Sequence, residues 1–378
     1  MNINSVRENQ SMRIHRLPTG EAVHRYQKSI VICFERKVKV LSTAHLNGGY
    51  SEELKSVFNY DATQGAGMAC KLRAETYQEH MKIITEELGL DADYTAGITT
   101  AASMENVAIK TVAYKNLSVT VIVTGGIEVN GGRVGDPTTW YEVNGKLHEI
   151  KEGTINIILY IDGNMPPETL TRALVTCTEA KTAAIQELLL GSMYSRGLAT
   201  GSGTDGTILI ANGESPNYYQ FAGKHSKLGE LIGLAVKPAV KEALFLQTGA
   251  SPEQQFSILR RMQRFGIKLD TIWDQFKTGN DLAKPEFVCL LEKLDKEPEL
   301  VVLTSLYVHL LDQFDWDLIN MEQTVSEAKQ ILKRMNPQLA GFNGTDWQGV
   351  TKDGFIEAMT QKMTDCLVGL LEAQICIG

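Results

Sequence analysis

Apolar positions recur along this chain with two different periods, and the place where one gives way to the other divides it. Over the first two thirds, short runs rich in β-branched residues alternate with turn formers. Ser29 to Phe34 and Lys37 to Thr43 predict a hairpin, and Leu117 to Thr124, Thr154 to Ile161 and Thr207 to Ala211 predict further strands. Between them, apolar residues at three- and four-residue spacing predict helices at about Ala66 to Leu88, Pro167 to Leu190 and Ser226 to Leu246. The fold class this implies is α+β, a mostly antiparallel sheet covered by helices.

After Gln247 the strand signal stops. The stretch TGASPEQQF combines Gly249, the capping residue Ser251, Pro252 at a first helical position and Glu253, which together start a new helix. From there the pattern is helical: Phe256 to Phe265, Pro285 to Leu294, Leu300 to Leu311, Thr324 to Met335 and Phe355 to Ile375, with a turn-rich loop from Asn336 to Gly349. A domain over residues 1–247 followed by a separate all-α domain over 251–378 is therefore expected.

Composition narrows the function. Net charge is −8, and Ser251 to Gly378, with 19 acids against 13 bases, carries most of it. No basic block could follow phosphates, so nucleic acid is not the expected partner. The six cysteines (Cys33, Cys70, Cys177, Cys289, Cys366 and Cys376) show no CxxC pair and no zinc spacing, which points to free thiols in a reducing compartment and to no metal site. The polar first residues lack a secretory apolar segment and no apolar run is long enough for a membrane span, so a soluble cytoplasmic protein is expected, away from membranes.

Candidate chemistry lies in three blocks. In Gly153 to Leu188, a strand leads through a Pro-marked turn into a long helix. Leu170, Leu174, Cys177, Ala184, Ile185 and Leu188 form one stripe on it, and Lys181 falls within that stripe. An ammonium there must reach water, pair with a carboxylate, or lose its charge. Glu179 lies on the opposite face with Arg172, Thr176, Thr182 and Gln186. A solvated charge beside Arg172 is the plainer reading, although the small residues Ala173, Ala180, Ala183 and Ala184 allow close packing on more than one side.

In Leu198 to Ala211, three glycines and alternating hydroxyls precede a strand. Glycines let backbone approach a ligand, and Thr200, Ser202, Thr204 and Asp205 are the types that amide hydrolysis needs: a nucleophile or its base, and donors for an oxyanion. A plain connecting turn would use the same residues. In Gly223 to Gly233, Ser226 can cap a helix, and His225 sits just ahead of it, as a base, a hydrogen-bond partner or an ordinary surface residue. Gly229 and Gly233 on that helix suggest close approach by backbone or ligand. STAHLNGG (Ser42 to Gly49) and TGGIEVNGGRVGDP (Thr124 to Pro137) read as turns.

The blocks GTIN, TEAKTAAIQEL, LATGSGTDG and HSKLGELIG, in that order within about eighty residues, resemble the signature region of the adenosylcobinamide amidohydrolase (CbiZ) family. The resemblance covers roughly Arg13 to Ala243. It implies hydrolysis of the amide between a corrin propionate and aminopropanol, giving adenosylcobyric acid, with adenosylcobinamide or a related corrinoid as substrate and no separate cofactor. Its motifs fall on Asp205, His225, Glu179 and Lys181 as catalytic residues, with Asp205 or His225 activating water, and on Thr200, Ser202, Thr204, Lys227 and Glu230 around the substrate. No function carries over to the region after Gln247, and a homo-oligomer is compatible with everything above. Two alternatives stay open: a non-catalytic corrinoid-binding or trafficking module, and an amidase that cleaves its own backbone at Thr200 or Thr204, each next to glycine.

Overall fold

The computed structural model describes residues 10–63, 72–137, 154–339, 347 and 349–377. The chain forms two compact units, residues 1–251 and 252–378.

The first unit contains two main sheets. One is five-stranded, with β1 (Met12–Arg16), β2 (Ala22–Tyr26), β3 (Ser29–Cys33), β6 (Ser56–Asp61) and β7 (Thr95–Thr100) side by side in that order. The other is six-stranded, in the order β5 (Gly49–Ser51), β4 (Val38–Ser42), β13 (Gly206–Asn212), β11 (Ile155–Ile161), β9 (Leu117–Gly125) and β8 (Ala108–Tyr114). Pairing is antiparallel except for β6 with β7 and β11 with β13. The helices that cover these sheets are α1 (Tyr77–Glu87), α2 (Pro167–Glu187) and α3 (Lys227–Thr248).

The strand alternation sets the layers. On β11, Ile158 and Tyr160 face the five-stranded sheet, whereas Ile157, Leu159 and Ile161 face α2 and α3. On β13, Ile208 and Ile210 divide from Leu209 and Ala211 in the same way. A third cluster, of Val31, Phe58, Met81, Ile84 and Leu88, joins α1 to the outer face of the five-stranded sheet. The result is a helix, sheet, sheet, helix sandwich, the α+β class expected, with both faces of each sheet covered in place of one.

Helix boundaries follow capping chemistry. α1 starts at Thr76, whose hydroxyl accepts from Glu79 N–H while Glu79 reaches back, a reciprocal cap. It is shorter than the expected Ala66 to Leu88, of which residues 66–71 lie outside the described part. α3 starts on Ser226 and ends on Gly249 in the left-handed conformation. The segments expected to form a hairpin, β3 and β4, do not pair: β3 lies between β2 and β6 in one sheet and β4 between β5 and β13 in the other, because the short link between them crosses from sheet to sheet. Strands β1, β2, β6, β7 and β8 give no clear sequence signal because they lie at sheet edges or carry His, Arg, Asn and Lys among their apolar positions.

The second unit is all-helical: α4 (Ile258–Met262), α5 (Leu269–Phe276), α6 (Lys284–Asp295), α7 (Pro298–Asp315), α8 (Met321–Met335) and α9 (Lys352–Ile377). Tyr307, Phe276, Phe287, Phe355, Met359 and Leu367 centre its core. The Tyr307 hydroxyl donates to the Met359 carbonyl at 2.7 Å, which satisfies the phenol where no water reaches it.

Candidate functional site

α2 packs on the six-stranded sheet through Leu170, Ala173, Cys177, Ala184 and Ile185, and Lys181 sits in that buried stripe at 9 % exposure. Of the outcomes open to it, the structure shows pairing: Lys181 Nζ donates to Asp205 Oδ2. Asp205 lies in the turn between β12 (Gly201–Ser202) and β13. It accepts three further hydrogen bonds, from Ile155 N–H at 2.9 Å, Ser202 N–H at 3.1 Å and the Ser202 hydroxyl at 2.6 Å. Four donors fill the sites of a carboxylate and compensate its removal from water. A Cβ on Gly201 would collide with Asp205 Oδ2 and stand 2.7 Å from Lys181 Nζ, so the ion pair needs glycine at that position.

Hydroxyls and amides surround this pair. Thr204 Oγ1 lies 2.6 Å from Thr154 Oγ1. Thr182 donates to the Thr200 carbonyl at 3.1 Å, and Thr200 Oγ1 accepts from Val134 N–H at 3.0 Å. The loop read as plain turn chemistry contributes β10 (Gly131–Gly132), which pairs antiparallel with β12 and brings Asn130 and Tyr194 beside the cluster. Behind it, Asn156 on β11 accepts from Gly206 N–H at 3.0 Å and donates to Asn59 at 2.7 Å, and Asn59 donates to Thr124 at 2.7 Å. This buried chain ties the two sheets together beneath the β12–β13 turn. Asn156, within the GTIN block, is not among the site residues expected from the sequence. An Asn within an otherwise apolar strand was the available signal, since a buried amide needs partners.

Asp136 fastens the neighbouring loop. Burial pushes its carboxyl up, but hydrogen bonds from Ser192 and Ser195, the Arg133 N–H and the Arg133 charge outweigh that and hold it below the usual carboxylate range. Cys177, fully buried, is pushed up to about 12 by burial, with the Lys181 charge acting the other way, which rules it out as a thiolate nucleophile at neutral pH.

The other expected site residues lie apart from this cluster. Glu179, two positions from Lys181 and on the opposite face of α2, pairs with Lys224 at 3.0 Å rather than with Arg172. His225 is exposed immediately before the α3 cap. Lys227 pairs with Glu230 and lies 4.6 Å over the Tyr114 ring, at an open cavity of about 540 Å3 lined also by Leu117, Tyr218, Tyr219 and Phe221. Of the two α3 glycines, Gly229 is closely approached by the Gly223 carbonyl, and Gly233 faces open space. Among the described residues no group of three or more His, Cys, Asp or Glu could hold a metal ion, and no helix is long and apolar enough to cross a membrane.

The Lys181, Asp205 and Ser202 arrangement places a hydroxyl within proton-transfer distance of a carboxylate, beside further hydroxyls that can hold a polar substrate group. The model of the family described as adenosylcobinamide amidohydrolase matches residues 14–252. An uncharacterized protein of Methanocaldococcus jannaschii is 33% identical over 232 residues, spanning 58% of this chain and 87% of that protein. Among solved structures, a protein of Pyrococcus horikoshii aligns at 13% identity and a TM-score of 0.31, over 69% of this chain and 92% of that one. The L-aminopeptidase D-Ala-esterase/amidase of Ochrobactrum anthropi aligns at 14% identity and a TM-score of 0.28, over 68% and 91%.

Proposed function

The chain belongs to the adenosylcobinamide amidohydrolase family, and from that premise we propose that it hydrolyses the amide joining a corrin propionate to aminopropanol, releasing adenosylcobyric acid for corrinoid salvage. The observation that supports this most directly is the Ser202 hydroxyl 2.6 Å from an Asp205 carboxylate that Lys181 holds in place.

In the proposed reaction, Ser202 Oγ attacks the amide carbon while its proton passes to Asp205 Oδ1. The C–N bond then breaks as that proton moves to the departing nitrogen, giving aminopropanol and an ester on Ser202. Water, deprotonated by Asp205, attacks the ester; the C–O bond to Ser202 breaks, the proton returns to Oγ, and the corrin carboxylate leaves. Lys181 keeps Asp205 aimed at Ser202 through both halves. His225, Glu179, Lys227 and Glu230 take no proton in this scheme.

In this proposal the exposed apolar side chains beside β10 lie against the corrin ring. Val134 is 84% exposed, and Val129, Met193 and Tyr194 are exposed on the same pair of loops. Free thiols at Cys33, Cys177, Cys289 and Cys366 support a cytoplasmic setting.

The test is incubation of the purified protein with adenosylcobinamide, followed by chromatography and mass spectrometry. Adenosylcobyric acid and aminopropanol are expected in equal amounts, and Ser202→Ala should lower kcat by about a thousandfold or more. Tight corrinoid binding with no aminopropanol released would overturn the catalytic reading in favour of a binding module.

A further inference from the structure

The four donors on Asp205 divide between its two oxygens. Lys181 Nζ and Ser202 N–H reach Oδ2, whereas Ile155 N–H shares Oδ1 with the Ser202 hydroxyl, and Oδ1 is the oxygen that takes the proton in the reaction above. The next residue on each strand answers the Ile155 bond in the opposite sense: Gly206 N–H donates at 3.0 Å to Asn156 Oδ1. Residues 155 and 156 therefore clamp 205 and 206 by one bond each way, where the parallel register sets Asn156 beside Gly206. The amide cannot turn over, because Gly206 N–H requires an acceptor and the Thr99 carbonyl, 2.8 Å from Nδ2, requires a donor. Nδ2 also donates to Asn59 Oδ1 at 2.7 Å, and Asn156 is 1% exposed. A Cβ on Gly206 would stand 2.7 Å from Asn156 Oδ1, so the bond needs glycine there.

Two of the Asn156 bonds, to Asn59 and Thr99, join the two sheets. The third does not, since β11 and β13 are already neighbours in one sheet; it fixes instead the main chain at the residue after Asp205. Resting on the amidohydrolase reading, we propose that Asn156 is a positioning residue for the proton transfer between Ser202 and Asp205. Through Gly206 N–H it sets the turn so that Asp205 Oδ1 stays within reach of both Ile155 N–H and Ser202 Oγ. Its carboxamide touches neither substrate nor reacting atoms. Asn59 and Thr99, on the five-stranded sheet, hold the amide in plane and so couple that sheet to a site built on the other.

The experiment measures kcat and KM for adenosylcobinamide, per folded molecule, together with urea unfolding, for wild type, Asn156→Leu, Asn156→Asp, Gly206→Ala and Thr124→Val. A misplacement of about 1 Å at a reacting group costs about a hundredfold in rate. Asn156→Leu, which offers Gly206 N–H no acceptor, should show a loss of about that size in kcat with KM within about threefold. Asn156→Asp keeps the acceptor, loses both donors and buries a charge against the Thr99 carbonyl. It should unfold at lower urea than Asn156→Leu and yet keep kcat within about tenfold of wild type, whereas a merely structural residue would lose activity in the order of stability. Gly206→Ala presses on Asn156 Oδ1 and leaves the amide's own donors in place, so its kcat should fall about as far as that of Asn156→Leu. Thr124→Val takes the acceptor from Asn59 Nδ2 at the far end of the chain; it should lower the unfolding midpoint and leave kcat within about twofold. If neither Asn156 variant folds, Gly206→Ala decides. A kcat within about threefold of wild type in Asn156→Leu or Gly206→Ala, a loss confined to KM, or an Asp variant less active than the Leu variant would overturn the assignment of Asn156 and leave the amidohydrolase reading intact. Absence of aminopropanol from the wild-type reaction would overturn both.

Discussion

Helix α2 carries two ion pairs that begin two residues apart and end in different environments. Lys181 and Glu179 are separated by about 200° around the helix axis. Lys181 turns toward the sheet and meets Asp205 with both side chains nearly buried; Glu179 turns outward to Lys224 with both largely in solvent. In water the second pair gains little, because solvent and salt already stabilise each charge. The first pair has lost that solvation and is retained only because four donors converge on Asp205. The difference shows which charges the fold is organised to place: a buried pair adjoining hydroxyls and close-packed glycine is an arrangement that requires many residues to agree, whereas the outer pair requires two.

The comparison breaks most readily at Lys181. Lys181→Met keeps the apolar stem and leaves Asp205 buried without its cation, which should cost about 3–5 kcal/mol of unfolding free energy and abolish turnover. Adding Asp205→Leu to it removes the stranded charge. If the native pair is a functional rather than a stabilising device, the double variant should recover much of that stability, measured by urea unfolding, and none of the activity. A double variant as unstable as the single one would show that the Ser202 and Ile155 hydrogen bonds to Asp205, not the charge balance, hold this turn.

Much of this was legible from residue types. The β-branched runs at Leu117 to Thr124 and Thr154 to Ile161, and the long helices α2 and α3, follow from periodicity, because those segments pack against a single core on each face. Lys181 stood out because a charge in an apolar stripe demands an explanation. Its partner was not legible: Asp205 is 24 positions away, and only the parallel pairing of β11 with β13, which brings Ile155 and Gly206 to the same end of the sheet, sets the carboxylate under the lysine. Nor could a sequence distinguish Gly201, packed against that pair, from Gly203, where an added Cβ would meet the Asn130 amide no closer than 3.8 Å. The residues beside α3 were marked by their motif, and their exposure depends on how the Gly223 to Ser226 turn meets α2, which is a tertiary contact.

A smaller effect extends the comparison to the far side of the sandwich. His80 on α1 is 3% exposed; its Nδ1 accepts from Arg73 N–H at 3.2 Å, and among the described residues its Nε2 has no partner. Burial, with Arg73 adding to it and Glu87 opposing, holds its pKa below the ordinary 6.5. The native state therefore binds fewer protons than the unfolded state in that interval. Stability should fall as pH drops through about 6.5 toward the lowered native value, and level off below it. Urea unfolding at pH 7.5 and 5.5 should show the decline in wild type and a shallower one in His80→Gln. Equal slopes would assign the pH dependence to other groups.

The smallest expected effect is the most discriminating for function. Glu179→Gln removes the outer charge without changing side-chain volume. With 43% of the Glu179 side chain and 59% of the Lys224 side chain accessible, stability should shift by no more than about 0.5 kcal/mol, and less at high salt. Turnover of adenosylcobinamide should stay within about twofold of wild type, and His225→Ala should behave alike, because neither side chain has a hydrogen-bond route to Ser202 in the arrangement described above. Both residues lie in motifs that resemble the family's signature, so the alternative is concrete: a tenfold or greater loss of kcat in either variant, with unfolding unchanged, would move the proton-transfer step to the outer face of α2, near His225 and Lys227. Lys181 and Asp205 would then be the scaffold of that turn, and the large stability cost at Lys181 would remain while its link to catalysis disappeared.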